Sequence, residues 1–393
     1  MKPQTRPNEI VVIGGGIAGC TIAFELARAG ARVRLLERRH LAHGASGRNL
    51  GLLLNDLSAD AVAMMREALE SYRELAAGGL DFELRQVPYL LLPTTAEQAA
   101  AVGGLADEMR RSGFEADPLP PAALVRELPQ LARPLEGALV VRGPWALSAP
   151  AATHAFAEAA RRAGATVETG VNVSRLAVRA GRVEGVLTDA GIVAADAVVV
   201  AAGPWLPDLV GGVALSTGRG WVLRTGRLDL PLPWVLVDLS WPDLDELGRA
   251  ARPPTLGEVA AGDYDRPVAA TVSMIPMPDG SALLGTSLAP SLREPVEGVD
   301  MPQRIARRTL DLLPGMGGIP ITAGWYGMRP MTPDGLPVVG RTAIEGVFVH
   351  GGHGSIGMQS APWTARLLAA ELAGNPNPEL AQFRPDRFSH PTP

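Results

Sequence analysis

The most constraining feature of this chain is a glycine-rich turn between a short apolar strand and a helix. Ile10–Ile13 is a run of β-branched residues, which is typical of a buried strand. Gly14, Gly16 and Gly19 follow with the spacing G-x-G-x-x-G, and Thr21–Arg28 is predicted to be a helix. In this setting the first glycine permits a tight turn. The second lets a pyrophosphate approach the backbone, and the third lets the helix pack close to the sheet.

The next predicted strand ends in an acidic residue. Arg32–Leu36 has strand character, and Glu37 lies 18 residues after Gly19. A carboxylate at this place can accept hydrogen bonds from ribose hydroxyl groups. The helix N-terminus offers free N–H groups and a partial positive charge to phosphates. The combined pattern predicts a bound adenine dinucleotide, and a glycine turn without a ligand is the alternative.

Size and composition exclude several other classes of protein. With 393 residues the chain is long enough for two domains. A net charge of −5 argues against nucleic acid as a partner, and no apolar run is long enough to cross a membrane. The N-terminus lacks the pattern of a signal peptide, so we expect a cytoplasmic protein, with attachment to a membrane surface left open. Cys20 is the only cysteine, so we expect no disulfide, cysteine–zinc or iron–sulfur site, and no other metal site.

Periodicity predicts helices between these landmarks and one connector. Helical patterns cover 59–75, 96–111 and 358–373, and a further helix up to Arg162 begins near Ser148, a candidate N-cap. Pro118–Pro134 is rich in proline and is predicted to be a connector. Ala197–Val200 is a continuous apolar run expected to be a strand buried on both faces. The small residues that follow it, including Gly203, belong to the edge where an open α/β sheet binds ligands.

The second half of the chain has a proline-rich, strand-like region, after which the pattern of a strand followed by a glycine-rich turn and a helix appears again. Residues 211–320 contain frequent prolines and short strand-like runs, which predict a mainly antiparallel sheet. The runs are Trp221–Arg224, Trp234–Val237, Val268–Ile275 and Ala282–Thr286. Gly346–His350 then resembles the first strand, and Gly351–Gly357 is a second glycine-rich turn. Two glycine turns that open helices favour a flavin dinucleotide over NAD.

These residues together resemble one superfamily. The chain is similar to the FAD-dependent amino-acid and amine oxidoreductases of the D-amino-acid oxidase, glycine oxidase and sarcosine oxidase superfamily. The matching stretches are Val11–Glu37, Gly44–Gly51, Ala201–Trp205, Gly327–Gly340 and Gly352–Met358. The resemblance implies an α/β fold (α+β overall), with a Rossmann-like FAD-binding domain and a second, mainly antiparallel-sheet substrate domain. The expected division is 1–85, 146–210 and 321–393 for FAD, and 86–145 and 211–320 for the substrate.

The resemblance also implies which residues hold FAD. Glu37, Arg38, Ile17 and Ala18 are expected at the adenosine half, and Val173 at the adenine through its backbone. A loop is expected on the flavin side, and a second helix N-terminus against the flavin, where it would stabilise the negative charge of the reduced ring. The cofactor residues expected are Gly14, Gly16, Ile17, Ala18, Gly19, Glu37, Arg38, Ala45, Ser46, Asn49, Gly51, Leu52, Val173, Gly203, Gly354, Ser355, Ile356, Gly357 and Met358.

Arg329 is the candidate for binding a substrate carboxylate. In glycine-oxidase-like members an Arg in the Gly-x-Arg-Pro stretch holds this group, and a guanidinium matches it in bidentate geometry. A structural pair between Arg329 and an acid such as Asp334 is the alternative. Tyr326 and Trp221 are the further substrate-binding candidates, and Trp325 and Tyr264 could also line the site. His353 is the candidate catalytic base, and a role in holding the flavin loop is its alternative.

The implied reaction transfers a hydride from the carbon that bears the amine to flavin N5, and the imine product hydrolyses. Gly327 stands near the place where sarcosine-oxidase-type members attach FAD through Cys, so FAD is expected to be non-covalent. Gly285–Leu288 lacks the Lys with which those members activate oxygen, which favours a quinone or a partner subunit as electron acceptor. Glycine-oxidase-like members lack that Lys as well, so oxygen stays an alternative. The other readings are a catalytic subunit of a heteromeric dehydrogenase and a non-catalytic nucleotide-binding module.

Overall fold

A parallel sheet and a larger antiparallel sheet dominate the computed structural model, which describes residues 9–54, 58–228, 232–239, 269–290 and 301–388. The helices are α1 (Ile17–Arg28), α2 (Ala59–Ala77), α3 (Ala96–Arg111), α4 (Pro121–Glu127), α5 (Ala149–Arg162), α6 (Leu206–Leu209), α7 (Met301–Leu312) and α8 (Gly357–Leu372). The strands are β1 (Glu9–Ile13), β2 (Arg32–Glu37), β3 (Arg85–Gln86), β4 (Tyr89–Leu92), β5 (Glu115–Leu119), β6 (Ala138–Arg142), β7 (Trp145–Ala146), β8 (Thr166–Thr169), β9 (Val173–Arg179), β10 (Arg182–Thr188), β11 (Gly191–Ala194), β12 (Ala197–Val200), β13 (Ser216–Thr225), β14 (Val235–Asp238), β15 (Ala269–Pro276), β16 (Ala282–Pro290), β17 (Ile321–Met331), β18 (Val338–Arg341) and β19 (Val347–Gly351).

The six-stranded sheet carries the glycine fingerprint. Its strand order is β18-β19-β12-β1-β2-β8, and all pairs are parallel except β18–β19. Strand β12 is buried along its whole length, so the prediction of a strand buried on both faces is confirmed. Because β1, β2, β12 and β19 run in the same direction, their carboxyl ends meet at one edge of the sheet.

Two cores cover the two faces of this sheet. On one face α1, α2, α5 and α8 pack in the largest apolar cluster. Cys20 is fully buried in this cluster, and burial raises the pKa of its thiol far above the ordinary value. The antiparallel strands β9, β10 and β11 cover the other face with a smaller cluster. The sheet is therefore closed on both faces, and its carboxyl edge is where a ligand has access.

The larger sheet has eight strands in the order β17-β13-β16-β15-β14-β4-β6-β5. Its pairs are antiparallel except β14–β4. This confirms the expected mixed α/β fold with a mainly antiparallel second sheet. The proposed domain boundaries stay a prediction. Strand β17, which that division groups with the cofactor part, pairs with β13 of the larger sheet.

Local structure differs from the sequence predictions in two places. The predicted connector Pro118–Pro134 contains the short helix α4, because Pro121 occupies its first turn, where a missing N–H costs nothing. Ser148 stands at the N-cap of α5 as expected, but its side chain makes no capping hydrogen bond.

The candidate Tyr264 lies outside the described residues. In the part of the chain that the structure describes, no helix combines the length and apolarity of a membrane span. Nor do three His, Cys, Asp or Glu side chains group there as metal ligands would.

Helix α1 carries a buried acid whose ionisation should make the stability depend on pH. Glu25 is 5% exposed and lies 2.7 Å from Arg28. Burial raises the pKa of its carboxyl to about 7, although Arg28 acts in the opposite direction. Because the pKa is higher in the folded than in the unfolded chain, the free energy of unfolding should fall as pH rises from about 4.5 to 7.

We therefore expect Glu25→Gln to remove part of this pH dependence. Between pH 5 and pH 8 the natural chain should lose more stability than the variant, by a difference on the order of 3 kcal/mol. Chemical denaturation at the two pH values measures the difference. Glu158→Gln, at an exposed partner of Arg162, is the control and should follow the natural chain. Equal pH dependence in both variants would contradict the assignment.

Candidate cofactor and substrate site

The carboxyl edge of the parallel sheet opens into a cavity of about 390 Å³. Strands β13 and β17 of the larger sheet close its other side. Of the expected cofactor residues, Gly19 and Ile356 are not in its wall. The others line it: Gly14, Gly16, Ile17, Ala18, Glu37, Arg38, Ala45, Ser46, Asn49, Gly51, Leu52, Val173, Gly203, Gly354, Ser355, Gly357 and Met358. Two distant parts of the chain thus meet around one space.

The first glycine turn brings backbone against backbone. Gly14 has φ +111°, and a Cβ built on it would lie 2.5 Å from the carbonyl oxygen of Ala201 on the neighbouring strand end. A Cβ on Gly19 would lie 1.8 Å from the carbonyl oxygen of Gly14. Gly19 therefore serves the close packing of α1 against the turn rather than the cavity wall. Gly16 adds no side chain where α1 begins, and this N-terminus faces the cavity, which suits a pyrophosphate.

The acid at the end of β2 lies against this turn. Glu37 accepts hydrogen bonds from the N–H groups of Gly15, at 2.6 Å, and Arg39, at 2.8 Å. Beside it, the Arg38 guanidinium stacks at 4.1 Å on the ring of Trp205, and both line the cavity. Sequence reasoning expected Arg38 but not Trp205 as a site residue. The sequence signal that Trp205 belongs to the site was its position in the short stretch that follows the buried strand β12.

The loop after β2 folds onto the first turn. Ser46 Oγ accepts a hydrogen bond from the Ile17 N–H of α1 at 2.9 Å. Asn49 holds the loop together, since its amide donates to the Ala45 and Ser46 carbonyls and its oxygen accepts from the Gly51 N–H at 2.8 Å. The loop thus covers one wall of the cavity with short side chains and backbone.

The second glycine turn opens α8 toward the same cavity. The N-cap residue Ile356 provides no side-chain hydrogen bond to the helix, so the first N–H groups depend on other partners. The Gly354 N–H donates to the Pro330 carbonyl at 3.0 Å, which joins the turn to β17. A helix N-terminus here offers partial positive charge to an anionic group in the cavity.

Two buried histidines join the second turn to the first. His350 Nδ1 lies 2.9 Å from the Ala18 carbonyl of α1, and its Nε2 lies 2.9 Å from Thr364 Oγ1. His353 Nε2 lies 3.1 Å from the same hydroxyl, and the two rings meet edge to face. Thr364 is fully buried on α8. One hydroxyl therefore connects both rings, and through His350 it connects both glycine turns.

The protonation of this cluster follows from its acceptors. Burial lowers the pKa of His350 to about 4, so the ring is neutral near pH 7. Its Nδ1 carries the hydrogen, because the Ala18 carbonyl can only accept. Its Nε2 then accepts the single hydroxyl hydrogen of Thr364 at 2.9 Å, in competition with the Ser360 and Ala361 carbonyls at 3.1 and 3.2 Å, and His353 Nε2–H donates to the Thr364 oxygen. Burial also lowers the pKa of His353, and His350 adds to this effect. These contacts support the alternative role of His353, which is to hold the turn.

Arg329 faces the cavity from β17. Its Nη1 donates to the Ser287 carbonyl on β16 at 3.1 Å. Asp334, the acid that sequence reasoning considered as its partner, instead accepts two hydrogen bonds from Arg387, at 2.7 and 3.0 Å. That pairing lowers the pKa of Asp334 against the effect of its burial.

Trp221 lines the cavity, whereas Tyr326 is not in its wall. The two residues are cross-strand partners with ring centroids 5.2 Å apart. The Tyr326 carbonyl accepts from Arg48 Nη1 at 3.1 Å, and the Arg219 guanidinium lies 4.9 Å from the Tyr326 ring. Arg48 was missed as a site residue, although its place in the glycine-rich loop was a signal. Other wall residues that were missed include Leu36, His43, Leu50, Asn172, Trp205, Asp208, Gly220, Val222 and His350.

We expect the shared hydroxyl to support cofactor binding. Thr364→Val keeps the size of the side chain but removes the group that both imidazoles contact. Each lost buried hydrogen bond costs about 1–3 kcal/mol, so FAD should dissociate at least about tenfold more readily. Flavin content after dialysis and the Kd of re-added FAD measure the effect. Thr153→Val is the matched control, because Thr153 is also fully buried but bonds only the Ala149 carbonyl of its own helix. Equal FAD affinity in the two variants would refute the role.

Known proteins are similar to this chain in sequence and in overall fold. The family model described as FAD dependent oxidoreductase matches residues 9–371. A D-amino acid dehydrogenase of Cereibacter sphaeroides is 27% identical over 97% of this chain and 96% of its own. A D-amino acid dehydrogenase of Xanthobacter autotrophicus is 30% identical over 80% of this chain and 69% of its own. The crystal structure of glycine oxidase from Geobacillus kaustophilus superimposes with a TM-score of 0.78 at 26% identity, covering 99% of this chain and all of that one. This chain therefore belongs to the DAO family of FAD-dependent oxidoreductases.

Proposed function

We propose that this enzyme oxidises the C–N bond of an α-amino acid, with D-amino acids, glycine and N-methyl or cyclic amino acids as the substrate class. The observation that carries the proposal is the position of Arg329. It lines the same cavity as the two glycine turns, and its neighbour Pro330 is hydrogen-bonded to the second turn. A carboxylate bound by Arg329 would therefore lie next to the flavin side of the cavity. The names of the relatives, D-amino acid dehydrogenase and glycine oxidase, support the same class of substrate.

The residues of the chain would bind the substrate, orient it and shield it from water. When bound, FAD supplies the acceptor for the hydride that leaves the α-carbon. Arg329 would hold the carboxylate in bidentate geometry, which fixes the rotation of the substrate. Leu50 and Val222 line the cavity and would exclude water from the rest of the substrate. The Trp221 ring packs against Tyr326 on the face of the sheet opposite Arg329, so we assign it no such role. No protein nucleophile is needed, and we assign no general base. The neutral His353 would hold the second turn.

We infer that FAD is held non-covalently. Cys20 is the only cysteine of the chain, and it is fully buried in α1 rather than in the cavity wall. Gly327 occupies the wall where the resemblance would require a cysteine.

Acid precipitation of the yellow protein should therefore release all of the flavin into the supernatant. Absorbance of the supernatant and of the redissolved pellet measures the two fractions. Cys20→Ala should retain flavin like the natural chain and serves as the control. Flavin that stays with the pellet would show a covalent bond and overturn the inference.

Arg329 should determine the affinity for carboxylated substrates. We expect glycine, D-alanine, D-proline or N-methylglycine to bleach the flavin anaerobically. Hydrogen bonds to a charged group contribute about 1.5–3 kcal/mol, so Arg329→Ala should raise KM for the best of these about 10- to 100-fold. Arg329→Lys should recover part of the lost affinity, because lysine keeps the positive charge but lacks the paired N–H donors of the guanidinium. Steady-state kinetics give the two constants KM and kcat, and stopped-flow absorbance follows the reduction of the flavin.

A surface arginine provides the control for this experiment. Arg110 is exposed and pairs with Asp107, and Arg110→Ala should leave both constants unchanged. The same reduced enzyme, mixed with oxygen or with a soluble quinone, identifies the electron acceptor. Reduction by the purified chain alone would exclude the need for a partner subunit in that step. The proposed substrate class is wrong if no amino acid bleaches the flavin, and the role of Arg329 is wrong if Arg329→Ala binds them as tightly as before.

A further inference from the structure

The Arg329 side chain lies across a neighbouring strand. Strand β13 separates β17, which carries Arg329, from β16. Arg329 Nη1 nevertheless reaches the Ser287 carbonyl of β16 at 3.1 Å. The side chain must therefore pass over β13, and it does so above Gly220, which is also in the cavity wall.

Gly220 has no room for a side chain because the guanidinium occupies that room. A Cβ built on Gly220 would lie 2.1 Å from Arg329 Nη1, and 2.6 Å from both Cζ and Nη2. These are the three nearest atoms to that Cβ, and all belong to the end of one side chain. Gly220 pairs with Gly327 in the ladder, so the neighbouring position on β17 also lacks a side chain. The guanidinium fills the space above Gly220, and the loop of Ala45 and Arg48 fills the space above Gly327, at 3.2–3.6 Å from a Cβ built there.

Other glycines at the cavity meet different atoms. Added Cβ atoms at Gly14, Gly19 and Gly51 would collide with backbone carbonyl oxygens at 2.5, 1.8 and 2.0 Å. A substitution at those positions must deform the fold. Gly220 does not have the left-handed backbone conformation that disfavours side chains, so alanine fits its backbone. A substitution at Gly220 therefore displaces a flexible side-chain end and leaves the backbone in place.

We propose that Gly220 is a positioning residue for substrate binding. It acts through Arg329, because its missing side chain lets the guanidinium lie flat across β13. The Ser287 carbonyl, in a fully buried residue, accepts from Nη1 and so holds the guanidinium in this orientation. Ser287 is itself fixed, since its Oγ accepts a hydrogen bond from the Trp221 N–H at 2.9 Å. The proposal rests on the proposed function, in which Arg329 binds the substrate carboxylate.

The test compares Gly220→Ala with the natural enzyme on paired substrates. The pairs are glycine and glycinamide, D-alanine and D-alaninamide, and D-proline and D-prolinamide. We expect KM for the amino acids to rise about tenfold or more with a smaller change in kcat, because orientation of the carboxylate is lost. KM for the amides, in which a neutral carboxamide replaces the carboxylate, should stay within about twofold. Flavin content and Tm should match the natural enzyme, which separates this effect from a general loss of structure.

Gly324→Ala is the matched control. Gly324 lies on β17 as well, and its added Cβ would meet the end of the Leu223 side chain at 3.0 Å, away from Arg329. This variant should keep the natural constants for both members of each pair.

A double-mutant cycle tests whether Gly220 acts through Arg329. In the Arg329→Ala background, Gly220→Ala should cause no further rise in KM. If Arg329→Ala impairs amino-acid binding but Gly220→Ala does not, the positioning role is refuted and the proposed function stands. If Arg329→Ala has no effect, the role of Arg329 in the proposed function fails, and the positioning role of Gly220 fails with it. A rise in KM for the amides equal to that for the amino acids would also refute the positioning role.

Discussion

The close approach of backbone to backbone at the first glycine turn determines where everything else in the site lies. The distance of 1.8 Å between a Cβ on Gly19 and the Gly14 carbonyl shows that α1 begins directly on the turn. The contact of Gly14 with the Ala201 carbonyl fixes the same turn against the end of β12. Helix α1 therefore points its N-terminus at the carboxyl edge of the sheet, and α8 can meet it there only because β19 lies next to β12.

The two halves of the cavity are joined by polar contacts between distant residues. His350 connects the strand end of β19 with the Ala18 carbonyl of α1, and Thr364 extends the contact to His353. On the other side, the Pro330 carbonyl accepts from the Gly354 N–H, so the strand that carries Arg329 is attached to the second turn. A backbone hydrogen bond thus holds the substrate side to the second turn, and fully buried side chains hold the two turns together. This is the precision that positioning of a substrate requires.

Local sequence patterns were sufficient to predict much of the fold, but they did not predict the contacts between residues that are far apart in the chain. The unit β1–α1–β2 has the predicted order, and α3 has the predicted bounds, because each depends on periodicity and turn residues nearby. Helix α4 was missed because the proline-rich stretch Pro118–Pro134 was interpreted as a connector, although a proline such as Pro121 in the first turn favours a helix start. The Arg38–Trp205 stack and the His350–Ala18 contact join residues that are far apart in the chain, so no local pattern could indicate them. By contrast, the alternation of a strand places Tyr326 and Arg329 on opposite faces of β17, and the sequence alone could have shown this.

Glycine has two different uses around this cavity, and the atoms that an added Cβ would meet distinguish them. At Gly14 and Gly19 those atoms are backbone carbonyl oxygens, so the glycine is required for the fold to close. At Gly220 they belong to the Arg329 guanidinium, which could move aside without cost to the backbone. A strand gains nothing from glycine there, because glycine lowers strand stability relative to a residue with a side chain. Glycine at position 220 is therefore explained by the Arg329 guanidinium that lies above it. At the first glycine turn the absence of a Cβ allows close packing of the backbone. At Gly220, on the larger sheet, the absence of a Cβ allows a charged side chain to take its orientation.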